Sequence, residues 1–91
     1  VTVLIVENVT TGVRGELSRW LLEPHTGVFV GRVSAMVRDR LWDKTCKACK
    51  EGGVIQIWST NNEQGFVMRV FGNTKRDIVD YEGIQLVLRR K

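Results

Sequence analysis

Val1-Thr2-Val3-Leu4-Ile5-Val6-Glu7-Asn8 is apolar on both sides of an extended strand. Val1, Val3 and Ile5 fall on one face, and Thr2, Leu4 and Val6 on the other. A strand of this kind belongs in the middle of a sheet that is covered from both sides. The apolar run breaks off at Glu7-Asn8, a carboxylate and an amide at the strand's carboxyl end, and Val9-Thr10-Thr11-Gly12 leads on into a helix. Two questions arise: what covers the second face, and what the Glu7 carboxylate does.

Downstream, Val13, Leu17, Trp20 and Leu21 recur at the spacing of one helical face, with Thr11 as N-cap and Pro24 ending the helix at about Glu23. Arg14 falls in the first turn, off the apolar stripe, where a cation opposes the helix dipole. Either an external anion or plain solvation accounts for it. Gly27-Val28-Phe29-Val30-Gly31 reads as a brief strand. Ser34 then caps a second helix running to about Lys50. Its inner face is Val37, Leu41, Thr45 and Ala48, and its outer face includes Arg38, Asp39, Asp43, Lys44, Lys47 and Lys50. Gly52-Gly53 stops it. Val54 to Thr60 and Phe66 to Phe71 form a hairpin across the polar loop 61–65. Residues 72–83 read as polar and irregular, Ile84 to Leu88 as a last strand, and Arg89-Arg90-Lys91 as a basic tail.

This order predicts an α+β fold: a ferredoxin-like sandwich, with an antiparallel-leaning sheet and two helices on one face. Residues 1–91 form a single domain, its last strand and tail at about 84–91. Two helices cover only one face. The first strand, Trp58 with Val54, and Phe66 with Met68 and Val70 make the opposite face apolar too. A bare patch of that size is a liability on a monomer, so the expectation is a homodimer through that face, with the last strand a candidate to reach across.

Composition narrows the function classes. The 91 residues are 43% hydrophobic and 26% charged, ordinary for a soluble globular domain. No apolar run approaches the roughly 18 residues of a membrane helix. With no signal-peptide pattern either, the expected location is cytoplasmic, with no membrane partner. A net charge of +4 suits an anionic partner, the more so when a two-fold axis doubles it. Cys46 and Cys49 form a C-x-x-C with no second pair, half of a zinc site unless a second chain supplies the rest, and read as two small helix residues in a reducing cytoplasm. His25 is the single histidine, so one chain assembles no Ser/His/Asp site. No nucleotide-binding glycine motif is present. Gln64 to Phe71 loosely resembles the sheet motif of RNA-recognition domains, but it comes after the second helix instead of before it.

Glu7 is the one acid at the end of the predicted central strand. A single carboxylate does not satisfy Mg²⁺, which takes six oxygens. Two Glu7 residues across a dimer axis, with waters, supply the minimum for metal-assisted phosphodiester cleavage. The plainer alternative is a Glu7 that pairs with a neighbouring cation or caps its loop. Arg14, Arg32, Lys75 and Arg76 are ordinary solvated charges on one chain. Doubled by a two-fold, they make a stripe that grips phosphates without reading sequence.

Val6-Glu7-Asn8-Val9, Arg14-Gly15, Trp20-Leu21-Leu22-Glu23, Gly27 to Gly31 with Val33-Ser34, and Thr60-Asn61 through Gly65-Phe66 to Phe71-Gly72 stand in order at matching spacings. Together they resemble the second core CRISPR-associated protein ("Cas-two") in the form found in type I-E systems, over essentially the whole chain. The resemblance implies a ferredoxin-like homodimer that works in spacer acquisition. Such a dimer sits between two dimers of the Cas-one integrase and helps bind a fragment of foreign double-stranded DNA. It further implies that Arg14, Lys75 and Arg76 hold the duplex backbone, and that Ile84 to Leu88 and the residues after them dock on the integrase. Gly12 stands where some relatives carry another basic residue, and Lys75 where an arginine can stand. Many relatives are described as Mg²⁺-dependent endonucleases using an aspartate at the end of the first strand. Glu7 is the equivalent here, as catalytic residue and metal ligand, which leaves enzymatic activity open beside the structural role.

Overall fold

In the computed structural model the chain runs β1 (Thr2–Val6), α1 (Thr11–Leu17), β2 (Leu22–His25), β3 (Val28–Gly31), α2 (Ala35–Ala48), β4 (Gly53–Ser59), β5 (Phe66–Gly72), β6 (Arg76–Tyr81) and β7 (Ile84–Arg89). The structure describes residues 1–49 and 52–72 in full, and 76–81 and 84–89 as strand backbone. Strands β1 to β5 make one antiparallel sheet in the order β2-β3-β1-β4-β5, while β6 pairs antiparallel with β7 in a separate two-stranded sheet. The βαββαβ succession with its β2-β3-β1-β4 order is a ferredoxin-like sandwich, which β5 extends beyond β4. Among the described residues no helix is long and apolar enough to cross a membrane.

β1 is central, as its double-sided pattern requires, hydrogen-bonded to β3 on one side and β4 on the other. Thr2, Leu4 and Val6 are buried beneath the helices, where Leu17, Leu21 and Leu41 close over Leu4, Phe29 and Val54. Val9, Val13, Val33, Val37 and Trp42 pack around that cluster. On the second face, Val3 lies opposite Val30 and Ile57, and Ile5 opposite Val28 and Ile55. Ile55 and Ile57 in turn face Val70 and Met68. This face is apolar as expected, but its membership differs. Val54 lies opposite Val6 and Trp58 opposite Thr2, which puts both under the helices. Strand period alone does not say which parity points inward; the pairing register does.

The first helix is shorter than its apolar spacing predicts. Thr10, not Thr11, is the N-cap, its hydroxyl accepting from the Val13 N–H at 3.2 Å. The helix ends at Leu17, where the N–H groups of Trp20 and Leu21 both donate to the Leu17 carbonyl at 3.0 and 2.9 Å. That tight turn returns Leu21 to the core, so a helix plus a turn imitates a longer helix. Trp20 is left 47% exposed. Pro24 therefore does not end a helix. It lies in edge strand β2, where a missing donor costs no ladder bond, and where the register to β3 shifts between Leu22 and His25.

The second helix matches its sequence signals: Ser34 caps it by accepting from the Val37 N–H at 3.2 Å, and Leu41 and Thr45 are buried. It ends at Ala48; Lys50 lies outside the described residues. The stretch read as irregular contains β6, hydrogen-bonded to β7 with Ile78 opposite Val87. Its partner strand supplies the regularity that the polar pattern of 72–83 lacks.

Candidate nucleic-acid interface and carboxylate site

Glu7 comes directly after the last residue of β1, where backbone bonds hold the chain from both sides. The Val6 N–H donates to the Gly27 carbonyl at 2.8 Å, and the Glu7 N–H to the Gly53 carbonyl at 3.0 Å. Two glycines allow this close approach. Gly27 has φ +79° and a Cβ there would stand 2.5 Å from the Val6 carbonyl oxygen. Gly52 has φ +76° and a Cβ would stand 3.1 Å from Glu7 Cβ and 3.6 Å from Glu7 Oε2. The result is an exposed carboxylate on a braced strand end. Among the described residues no three His, Cys, Asp or Glu side chains converge as a metal site. A metal at Glu7 would have that one carboxylate from the described residues and take its other oxygens from water, a phosphate or a second copy.

Arg14 occupies a different electrostatic setting from the one its position predicts. In a helix this short it belongs to the last turn, where a cation is favourable. Its Nε donates to Glu23 Oε1 at 2.8 Å and Oε2 at 3.2 Å, and Glu23 Oε2 also accepts from the Gly27 N–H at 2.9 Å. Glu23 thus ties α1, β2 and the β2–β3 turn together. The Arg14 side chain stays 42% exposed, so an internal partner orients it without hiding it.

The hydrogen bond from the Gly27 N–H, then that from Arg14, holds the Glu23 carboxyl below its ordinary value of 4.5. A depressed folded-state value stabilises the fold fully above 4.5, and that contribution is lost as the pH falls through the depressed value. Glu23→Gln is accordingly expected to lower Tm at neutral pH and to flatten the acid limb of a Tm-against-pH profile. An acid limb identical to wild type counts against this linkage.

Of the other predicted phosphate-binding residues, Lys75 lies outside the described residues. Arg76 opens β6 opposite Arg89 of β7, its side chain outside the described residues. Arg32 is exposed just after β3, and Gly12 is exposed with open space around it. No disulfide joins Cys46 and Cys49, and burial pushes the Cys46 thiol up to about 11. A Cys46 thiol held protonated is a poor nucleophile. Between α1 and α2 a mostly apolar groove of about 260 Å³, lined by Thr10, Val13, Leu17, Thr45 and Ala48, is flanked by the Lys44–Glu16 pair at 2.9 Å.

One cluster escapes sequence reasoning. Arg69 on β5 reaches under α2, where its Nε donates to Gln56 Oε1 at 2.8 Å and its Nη2 to Asp39 Oδ1 at 2.9 Å. Gln56 is fully buried and its Nε2 donates to the Arg38 carbonyl at 3.1 Å. The Arg38 guanidinium lies 4.2 Å from the Trp58 ring centre, and that of Arg69 lies 4.7 Å from Trp42 and 4.9 Å from Trp58. Arg38 is therefore not simply on a solvated outer face; its side chain is 19% exposed. The available signal was Gln56 and Arg69, each alone among apolar neighbours in a predicted hairpin strand, which face one another in register.

These features define an α+β protein of ferredoxin-like architecture with an exposed carboxylate at the end of its central strand. The chain belongs to the family of CRISPR-associated proteins described as Cas_Cas2CT1978, whose model matches residues 1–86. The matched span contains Glu7, Arg14, Lys75 and Arg76.

Proposed function

We propose that this is a CRISPR adaptation protein of the type I-E form, a homodimeric and mainly non-catalytic adaptor. It binds the backbone of prespacer double-stranded DNA and scaffolds the Cas-one integrase for spacer insertion in the cytoplasm. The observation that carries this reading, beside family membership, is the second sheet face. Val28 and Val30, Val3 and Ile5, Ile55 and Ile57, and Met68 and Val70 line it without a charge across four strands. A second copy packed there removes that surface from water and brings two sets of Arg14, Lys75 and Arg76 into one symmetric body.

Light scattering at micromolar concentration is expected to give twice the 10.4 kDa chain mass. Binding to unrelated duplexes should be equally tight, with log affinity falling against log salt by about 0.9 for each phosphate neutralised. A clean monomer, or binding that ignores salt, overturns the adaptor.

The second reading is an endonuclease acting on RNA or double-stranded DNA with Mg²⁺, built on Glu7 paired across the dimer axis. What favours it is the exposure of Glu7 on its braced strand end. A cleavage assay with Mg²⁺ or Mn²⁺ should lose activity in Glu7→Ala; activity that survives comes from another site or a contaminant.

A further inference from the structure

We propose that Arg38, held over the Trp58 ring, is a further phosphodiester-binding residue on the α2 side of the sheet, and that Asp39 tempers its charge. The inference rests on the duplex-binding reading above and extends it to a site that Arg14, Lys75 and Arg76 do not supply. Two guanidinium groups, Arg38 and Arg69, share the single Asp39 carboxylate. A structural ion pair needs one cation per carboxylate; this cluster keeps a positive charge in excess.

Arg69 is committed to the fold, donating to buried Gln56 as well as to Asp39. Arg38 is not. Its Nε donates to Asp39 Oδ1 at 3.1 Å, while its terminal nitrogens donate to no acceptor among the described residues. Lying over the Trp58 ring, 4.2 Å from its centre, and tied through Nε to Asp39, the guanidinium is restrained before a partner arrives. Two non-bridging phosphate oxygens match its terminal edge, and an arginine already restrained loses little freedom in binding them. Besides Asp39, the exposed charges of α2 are Arg40, Asp43, Lys44 and Lys47, with Arg32 ahead of the helix, so cations outnumber acids along it. The site lies on the helix-bearing side, opposite the apolar face assigned to the second copy, and dimerisation leaves it open.

Fluorescence anisotropy with a labelled duplex, over a salt series, tests this on the full chain. Arg38→Gln is expected to weaken binding roughly three- to tenfold and to reduce the salt slope by about 0.9 for each Arg38 engaged. Asp39→Asn is expected to lower Tm and to tighten binding in wild type but not in the Arg38→Gln background, a coupling that a purely structural role does not give. Arg38→Gln with wild-type affinity and slope, or Asp39→Asn that weakens binding, overturns the proposal. If Arg14→Ala loses affinity while Arg38→Gln and Asp39→Asn do not change it, the duplex-binding reading survives and this inference falls. Wild type that shows no salt-dependent binding sinks both. Should Arg38→Gln fail to fold, Arg38→Lys, which keeps the charge but loses the paired donors, decides: weaker binding supports the proposal and wild-type affinity overturns it.

Discussion

Replacing Lys75 and Arg76 together by alanine is expected to abolish spacer integration while leaving the homodimer intact. The two substitutions remove four cations from a dimer. Each phosphate that is no longer neutralised should flatten the salt slope by about 0.9, and the affinity at physiological salt falls with it. The dimer should persist because neither residue belongs to the apolar face of β1, β3, β4 and β5. Arg76 sits in a strand held by backbone pairing to β7, which alanine preserves. Amplification of the array's leader end would score new spacers, and light scattering would score the dimer. Normal integration by the double variant removes the backbone-gripping role assigned to these residues; a monomeric variant moves them into the interface instead.

Arg69→Leu is expected to destabilise the fold by about 2–5 kcal/mol in urea denaturation. Gln56 Oε1 is fully buried, and without its donor it becomes an unsatisfied acceptor that costs about 1–3 kcal/mol. The stacking on Trp42 and Trp58 adds about 0.5–1 kcal/mol each. The second variant of the cycle discriminates. Gln56→Leu combined with Arg69→Leu removes both halves of the pair and should recover part of the stability, since no Gln56 oxygen is left buried without its donor. A single variant within about 0.5 kcal/mol of wild type would show the cluster to be ornamental to stability.

The amino-acid pattern by itself determined that β1 is central, that Ser34 caps α2, and that β4 and β5 form a hairpin. Each of these rests on short-range chemistry: alternation on a pleated strand, a hydroxyl cap, a loop of turn formers. Glu7 at the strand's end was legible for the same reason, since its place is set by where the apolar run stops. What only the tertiary structure decided depends on partners distant in sequence. Leu21 is buried through a turn at Leu17, so its spacing spoke for a helix that does not exist beyond that residue. Val54 and Trp58 face the helices because Val6 and Thr2 lie opposite them. Arg14 is oriented by Glu23 from a strand its own helix pattern did not predict. Arg38, Asp39 and Arg69 converge only because α2 crosses β4 and β5. A side chain's neighbours across a sheet are set by register and packing, and these are written in no single stretch of the chain.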